Sequence, residues 1–445
     1  MSNGTLPNYL TMAKPNPMEN RVPWYKSTAP TYAGIFLWVV FYMEIAKNTL
    51  PQAGLWLSLL GLVVAALVCH FLFYLVPGLF GMKSGYPLYV VGSSTYGTVG
   101  GFFMPGLLMG LLQFGWLAVN IAVSTSFILQ AAGVDPKPLT TPFVIVAIFW
   151  GLAACFVGVL GIQYVAKVAT FLPIAPLVMI LIVFFTNVGS VGDFKVAANA
   201  KPLVGFLAMI TMVVGFFATA GAAGVDFGMG NRNAKDVQLG GLVGIALAIL
   251  IAGGLPLIAV AGANGADPKL NSYVFDAVIK QQGGFLAKSM FILFTIASFA
   301  PAGFSSFIAA NSIGTMFPKV NKLLMVLIGA IVSILLGATG VALHLAGVFS
   351  IIGASFGPIC GSMVADYLLS GRKWAGPRKG INWAGYIAWA VGFVVAILPT
   401  VGGEKFGFIS PAPVIAFVIG FVLYAVLAKA GLEPEVAELP SAKGA

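Results

Sequence analysis

The chain has 445 residues, 59% of them hydrophobic and 8% charged, with a formal net charge of +10. A soluble protein keeps about a quarter of its residues charged because its surface must be hydrated. At a mean hydropathy of +0.99 this surface has to face lipid, so a soluble globular fold is excluded and an all-α polytopic membrane protein is expected.

Residues 1–29 are rich in Pro and Asn and contain no apolar stretch, so they read as a soluble tail and not as a cleavable signal. Crossing the hydrocarbon core takes roughly 20 mostly apolar residues. Such runs are predicted at 31–50, 55–78, 101–132, 141–161, 165–187, 203–225, 238–262, 285–311, 323–341, 343–369, 382–400 and 409–428. They are continuous and do not alternate, which makes them about twelve helices and not barrel strands. The division near Gly340–Leu343 is inferred from length. The longest connections lie near 188–202 and 263–284; turn formers fill Asn264–Asp276, and 277–284 suits a short surface helix. After Lys429 the tail, with Glu433, Pro434, Glu435, Glu438 and Pro440, is polar and expected to be disordered. Cys69, Cys155 and Cys360 all fall inside spans and imply no disulfide framework.

Placing the N-terminus inside puts fifteen Lys and Arg on the cytoplasmic side against seven outside, with Lys47 left within the membrane. Both termini are therefore expected in the cytoplasm of a multi-pass protein of the cell (plasma or inner) membrane. The basic loops need anionic lipid headgroups and no nucleic-acid partner. No obligate protein partner is predicted.

Signals of catalysis are nearly absent. His70 and His344 lie in different spans without a ligand at metal-binding spacing, and each reads as a hydrogen-bonded structural or interfacial residue. No zinc-protease, nucleophile-elbow or phosphate-loop motif occurs. The expectation is a transporter and not an enzyme, with no cofactor and no bound metal. Glycine clusters inside spans, as at Gly215, Gly221 and Gly224 and at Gly353, Gly357 and Gly361. Close helix packing explains the second set; residues 215–224 also suit an unwound segment facing a cavity.

Gln113 and Trp116 stand three residues apart, on one face of the third span. An amide offers donors and an acceptor, and an indole offers a flat π surface, so the pair suits a planar polar heterocycle; the bland alternative is a packing glutamine beside an interfacial tryptophan. In the first span Glu44 and Lys47 form an i, i+3 pair, costly within a membrane unless it serves an ion path. The alternative is a self-neutralised pair facing the outer vestibule.

Met109–Ile121 (MGLLQFGWLAVNI) resembles the third helix of the nucleobase:cation symporter family, whose bacterial cytosine permeases carry Gln-x-Gly-Trp there. Gly81–Gly97, Gly215–Lys235 (GFFATAGAAGVDFGMGNRNAK) and the stretch from Ala365 to Trp383 resemble further segments of that family, in order. The resemblance implies two inverted five-helix repeats at 30–369, two accessory helices at 370–428 and a cytoplasmic tail at 429–445. It implies breaks in helices one and six, with substrate between them and helices three and eight. Trp116 and Phe217 would stack on the two faces of the base, Gln113 would bond the ring edge, and Thr219 would stand where the cytosine permeases have a serine. On the eighth helix the matched positions fall on Pro301-Ala302-Gly303. Gly303 and Ser305 are the substrate candidates there, and Ser298 and Ala302, with Glu44 and Lys47, the ion candidates. The family's two hydroxyl residues and Asn are missing, so the coupling ion, Na+ or H+, stays open.

The resemblance implies a permease importing a nucleobase or related small planar heterocycle. The alternative is an amino-acid or amine carrier of the same fold, proton-driven or uncoupled. A channel or an intramembrane receptor is opposed by the mid-depth aromatics and by the lack of a soluble domain.

Overall fold

The computed structural model describes residues 6–159, 172–196, 198–317 and 319–439. Apart from two isolated bridges, its regular structure is helical. Lipid offers no hydrogen-bond partners, so each backbone group must be satisfied within its own segment. In chain order the helices are α1 (Thr28–Phe36), α2 (Val39–Tyr42), α3 (Ile45–Ser84), α4 (Leu88–Tyr96), α5 (Phe102–Ala131), α6 (Thr141–Val159), α7 (Ile174–Asp193) and α8 (Pro202–Ala222). They continue with α9 (Gly224–Gly228), α10 (Ala234–Ala266), α11 (Phe275–Gln281), α12 (Gly284–Gly314), α13 (Lys322–Ala338), α14 (Leu345–Leu369), α15 (Trp383–Phe406) and α16 (Ala412–Leu432).

Among the described residues nine of these (α3, α5, α7, α8, α10, α12, α14, α15 and α16) are long and apolar enough to cross a membrane. The protein is thus an all-α, multi-pass membrane protein. The expected first span is divided among α1, α2 and the start of α3. The chain then reverses at Gly54, whose φ of 66° and ψ of −179° are open to glycine and strained for other residues. The first half of the expected span 165–187 falls largely on 160–171, outside the described residues. The turn Val341–Leu343, entered through left-handed Gly340, separates α13 from α14 where length alone placed the division.

The largest buried cluster joins α1, α3, α8, α10 and α14, with Tyr32, Phe36, Phe73, Tyr74 and Phe217 fully enclosed. Lipid tails are as apolar as these side chains, so close packing and not transfer from water holds the helices together. Glycine sets the approach. A Cβ on Gly361 of α14 would strike the Phe417 carbonyl of α16, and one on Gly215 of α8 would reach Phe349 of α14. Gly221 and Gly224 likewise face Phe73 and Tyr74. Residues 215–222 are regular helix, and the chain turns only at Ala223. The expected unwound segment is therefore corrected: these glycines serve packing.

Neither tail is free where it is described. Tyr9 and Leu10 are buried against Val90 and Met316, with Leu439 beside them. The expectation of a disordered C-terminal tail fails for residues 433–437. Lys379 N–H donates to Glu435 O (2.9 Å) and Ala437 N–H to Pro377 O (2.7 Å), pinning that strand to the α14–α15 connection. Beneath it, Arg378 binds Asp366 of α14 and Glu433 of the tail, each at 2.9 Å. The Arg378 guanidinium also donates to Ser94 O (2.6 Å), while Ser94 and Thr95 donate their hydroxyls to Asp366 (2.5 and 2.9 Å). At the other end of α4, Leu88 N–H donates to Asp226 (3.0 Å). A carboxylate at its N-terminus and a guanidinium at its C-terminus both suit the helix dipole. So α4 is a strut between the exit of α8 and the C-terminal end of α14.

Candidate substrate-binding site

A cavity of about 550 Å³ penetrates the bundle between α1, α5, α8 and α12. Its outer lining includes the exposed Tyr25 and Lys26; at depth it is lined by Trp38, Gln113, Trp116 and Phe216. Helical periodicity decides which residues face it. From α8 these are Phe216, Thr219 and Ala220, followed by Ala223 at the turn and Phe227 on α9; from α12, Ala300, Pro301, Phe304, Ser305 and Ile308. Within each of α8 and α12 the set recurs at three or four residues, one stripe of a helix. The break between α1 and α2 supplies the last wall: Trp38 has extended backbone (φ −69°, ψ 126°), which carries its indole into the lining.

Four of the ten residues singled out from sequence meet here: Gln113, Trp116, Thr219 and Ser305. Trp116 Nε1–H donates to Thr219 Oγ1 at 3.2 Å, which fixes the indole across the gap between α5 and α8. Among the described residues the Gln113 amide bonds only the soft sulfur of Met109, at 3.5 Å, leaving most of its hydrogen-bonding capacity unused. The rings are close but not parallel: Trp116 lies 5.1 Å from Phe216 at 74° and 5.8 Å from Trp38 at 60°.

Phe217 does not line the cavity. It is fully buried on the far side of α8, stacked at 5.6 Å on Phe36 and 5.7 Å from Tyr32. Phe217 and Thr219 are two residues apart, and on a regular helix such residues point to nearly opposite sides. Their joint assignment came from the family resemblance, and the regular helix over 215–222 separates them. Phe216, three residues before Thr219, takes the facing position, and counting turns would have found it. Trp38 carried no such signal, because only the helix break turns it inward.

The remaining candidates lie elsewhere. Ala302 is buried against the cluster of Leu117, Ile121 and Trp150, and Gly303 is buried outside the lining. Ser298 bends α12: its hydroxyl donates to Phe294 O (2.9 Å), and its carbonyl accepts from Asn120 Nδ2 (2.8 Å). Asn120 also accepts from Trp150 Nε1 at 3.1 Å, tying α5 to α6 and α12. Glu44 and Lys47 pair at 3.6 Å away from the cavity, with the Lys47 side chain 56% exposed. Neither residue is among the lining residues of the cavity. His70 is buried beside Phe71 and Tyr74 with neither ring nitrogen hydrogen-bonded among the described residues, so the expected bond is not made there.

A multi-pass helical bundle with a deep, aromatic-walled cavity beside a broken helix has the architecture of a small-molecule secondary transporter. The comparisons agree. No family model matches the chain. It is similar to the cytosine permease of Escherichia coli (strain K12), 26% identical over 327 residues that cover 71% of this chain and 72% of the relative. The cytosine permease of Escherichia coli O157:H7 gives 27% over 326 residues, with the same coverage. Among solved structures the fold is that of Mhp1, a nucleobase-cation-symport-1 family transporter. The closed form with bromovinylhydantoin bound superposes with a TM-score of 0.73 at 15% identity, covering 96% of both chains. The inward-facing form gives 0.71 at 16% identity, covering 99% of this chain and 97% of that one. A Na+-coupled sialic acid symporter gives 0.58 at 14% identity, covering 97% and 93%.

Proposed function

We propose that the chain imports a nucleobase or a closely related planar heterocycle by alternating access, with the cavity of Trp38, Gln113, Trp116, Phe216, Thr219 and Ser305 as its binding site. In this reading the fold has twelve membrane helices, ten of them in two inverted repeats, and both termini are cytoplasmic. The cavity then opens inward.

The observation that carries the reading is the chemistry of the lining. At depth the rings of Trp38, Trp116 and Phe216 surround the neutral hydrogen-bonding groups of Gln113 and Thr219. Among the described lining residues the charged one is Lys26 at the mouth, and there is no carboxylate. An ammonium cargo taken out of water needs a compensating charge, so this lining opposes the amino-acid or amine alternative. A neutral planar ring needs a π surface and a few donors and acceptors. Stacking contributes about 1–3 kcal/mol per base, and Gln113 offers both kinds of hydrogen bond.

The lining also bears on coupling. Between the α1–α2 break and the bend of α12 lies a void of about 10 Å³ lined by Gly34, Leu37, Trp38, Val39, Pro173, Pro176, Phe294, Ala297, Ala300 and Pro301. None of these side chains carries oxygen. Two nearby carbonyls are occupied: Leu37 O accepts from Tyr42 Oη (3.5 Å), and Phe294 O accepts from Ser298. This supports a carrier that holds no sodium ion between the first and eighth helices.

A thermal-shift screen of purified protein against nucleobases, hydantoins and amino acids, in sodium and in potassium, tests the reading. A ligand at 100 times its Kd stabilises the folded state by about 2.7 kcal/mol. Stabilisation by a planar base, equal in both salts and absent in Trp116→Ala, is the expected result. Stabilisation by amino acids alone would refute the cargo.

A further inference from the structure

The deep wall of the cavity holds one buried donor without an acceptor. Trp38 Nε1 is enclosed and unbonded among the described residues. Four other buried or half-buried indoles do find an acceptor. Trp116 donates to Thr219, Trp150 to Asn120, Trp374 to Val91 O and Trp389 to Ser355 O. A buried N–H that has left water and found no acceptor is costly, and native structures keep few of them.

The surroundings of Trp38 point to what completes it. Its indole lines the cavity on one side and the 10 Å³ void on the other. That void is at the lower limit for one water and has no polar side chain to hold it. Solvent in that void is therefore no remedy. Trp38 sits at the break between α1 and α2, where its N–H donates to Ile35 O (3.4 Å) and its carbonyl accepts from Phe41 N–H (2.9 Å). Its ring centre is 5.8 Å from Trp116 and 6.4 Å from Phe216. A planar ring lodged against either comes within reach of the Trp38 edge.

We propose that Trp38 is a specificity-determining residue whose indole N–H donates to a hydrogen-bond acceptor on the cargo, a carbonyl oxygen or an unprotonated ring nitrogen. The inference rests on the reading of this cavity as a site for planar heterocycles. It gives the site a reader from the first helix where Pro301-Ala302-Gly303 of α12 carry no side-chain polar atom and Ser305 is the polar residue that α12 adds to the lining. A site built to donate a hydrogen bond discriminates against analogues that cannot accept it, because the donor is then left unpaired.

The test uses full-length protein and a panel of cytosine, uracil, hypoxanthine and hydantoin, the tightest binder serving as probe. Trp38→Phe keeps an aromatic ring and removes the N–H. Its affinity for the probe should fall about tenfold with its unliganded melting temperature close to wild type. In wild-type protein labelled with 15N-indole, the resonance absent from Trp38→Phe should move downfield when the probe binds. If the variant does not fold, the same resonance, assigned through Trp38→Tyr, decides alone. Unchanged probe affinity in Trp38→Phe, with binding lost in Trp116→Ala, overturns the role of Trp38 and leaves the cargo reading standing. Lost affinity with an unmoved indole resonance also overturns it, since Trp38 then only packs. Failure of the whole panel to bind wild-type protein overturns both.

Discussion

Replacing Arg378 by Ala tests how this end of the bundle, where α4, α14 and the C-terminal tail meet, is held together. Asp366 is fully buried, and Arg378 is its ion-pair partner at 2.9 Å. Without the guanidinium, Asp366 keeps only the hydroxyls of Ser94, Thr95 and Ser370, and Glu433 keeps that of Tyr424. Removing one partner of a buried pair costs about 3–5 kcal/mol because the survivor stays charged and uncompensated. Glu433 is partly exposed and adds less. An unfolding entropy of about 2 cal/mol/K per residue over 445 residues converts this to a melting point lower by about 3–5 °C. Thermal unfolding of detergent-purified protein, followed by tryptophan fluorescence, measures it. Exchange of the Lys379 and Ala437 amides should accelerate in the same variant. Adding Asp366→Asn should restore part of the loss, since it removes the orphaned charge. A single variant melting within 1 °C of wild type, or a double variant no better than the single, would refute the reasoning.

Phe216→Ala should weaken binding of a planar base and also lower stability, since Phe216 is buried against Phe41, Trp116 and Phe349. Phe217→Ala, by contrast, should lower stability with little direct effect on binding. The second opens a void in a packed aromatic cluster, costing about 3–5 kcal/mol; paired melting and binding curves separate the two. Gly361→Ala drives a methyl into the Phe417 carbonyl, while Gly347→Ala on the same helix meets open space. The first should destabilise by about 1–3 kcal/mol and the second should not, as judged by melting temperature. Lys379 holds the Glu435 carboxyl below its ordinary range through a 2.8 Å bond. Because the folded value is the depressed one, this contribution to tail docking is complete above the ordinary carboxylate range and lost as pH falls through the lowered value. Exchange at Ala437, corrected for its intrinsic pH dependence, should therefore quicken below about pH 4. In Glu435→Gln that pH dependence should vanish; its persistence would assign the effect to another group.

Composition and run length alone determined that this chain lives in a membrane as a helical bundle, because desolvating charge and unpaired backbone is too costly for any other outcome. The division at Gly340 and the shared face of Gln113 and Trp116 were legible for the same reason: helix pitch and span length are local quantities. The site's other half was not. The resemblance put Phe217 and Thr219 in one site, but α8 stays regular and turns them to opposite sides. Whether a glycine-rich stretch opens or packs depends on what stands against it, here Phe73, Tyr74 and Phe349. The tail looked disordered because its charges are polar in sequence. Glu433 and Glu435 become anchors only when Arg378 and Lys379, more than fifty residues away, are brought beneath them. Trp38 faces the cavity because a helix breaks, and it lacks an acceptor because of what surrounds it. Sequence fixes what each residue is able to do; contacts between distant segments decide which of those capacities remain unsatisfied, and it is the unsatisfied ones that are left for a cargo.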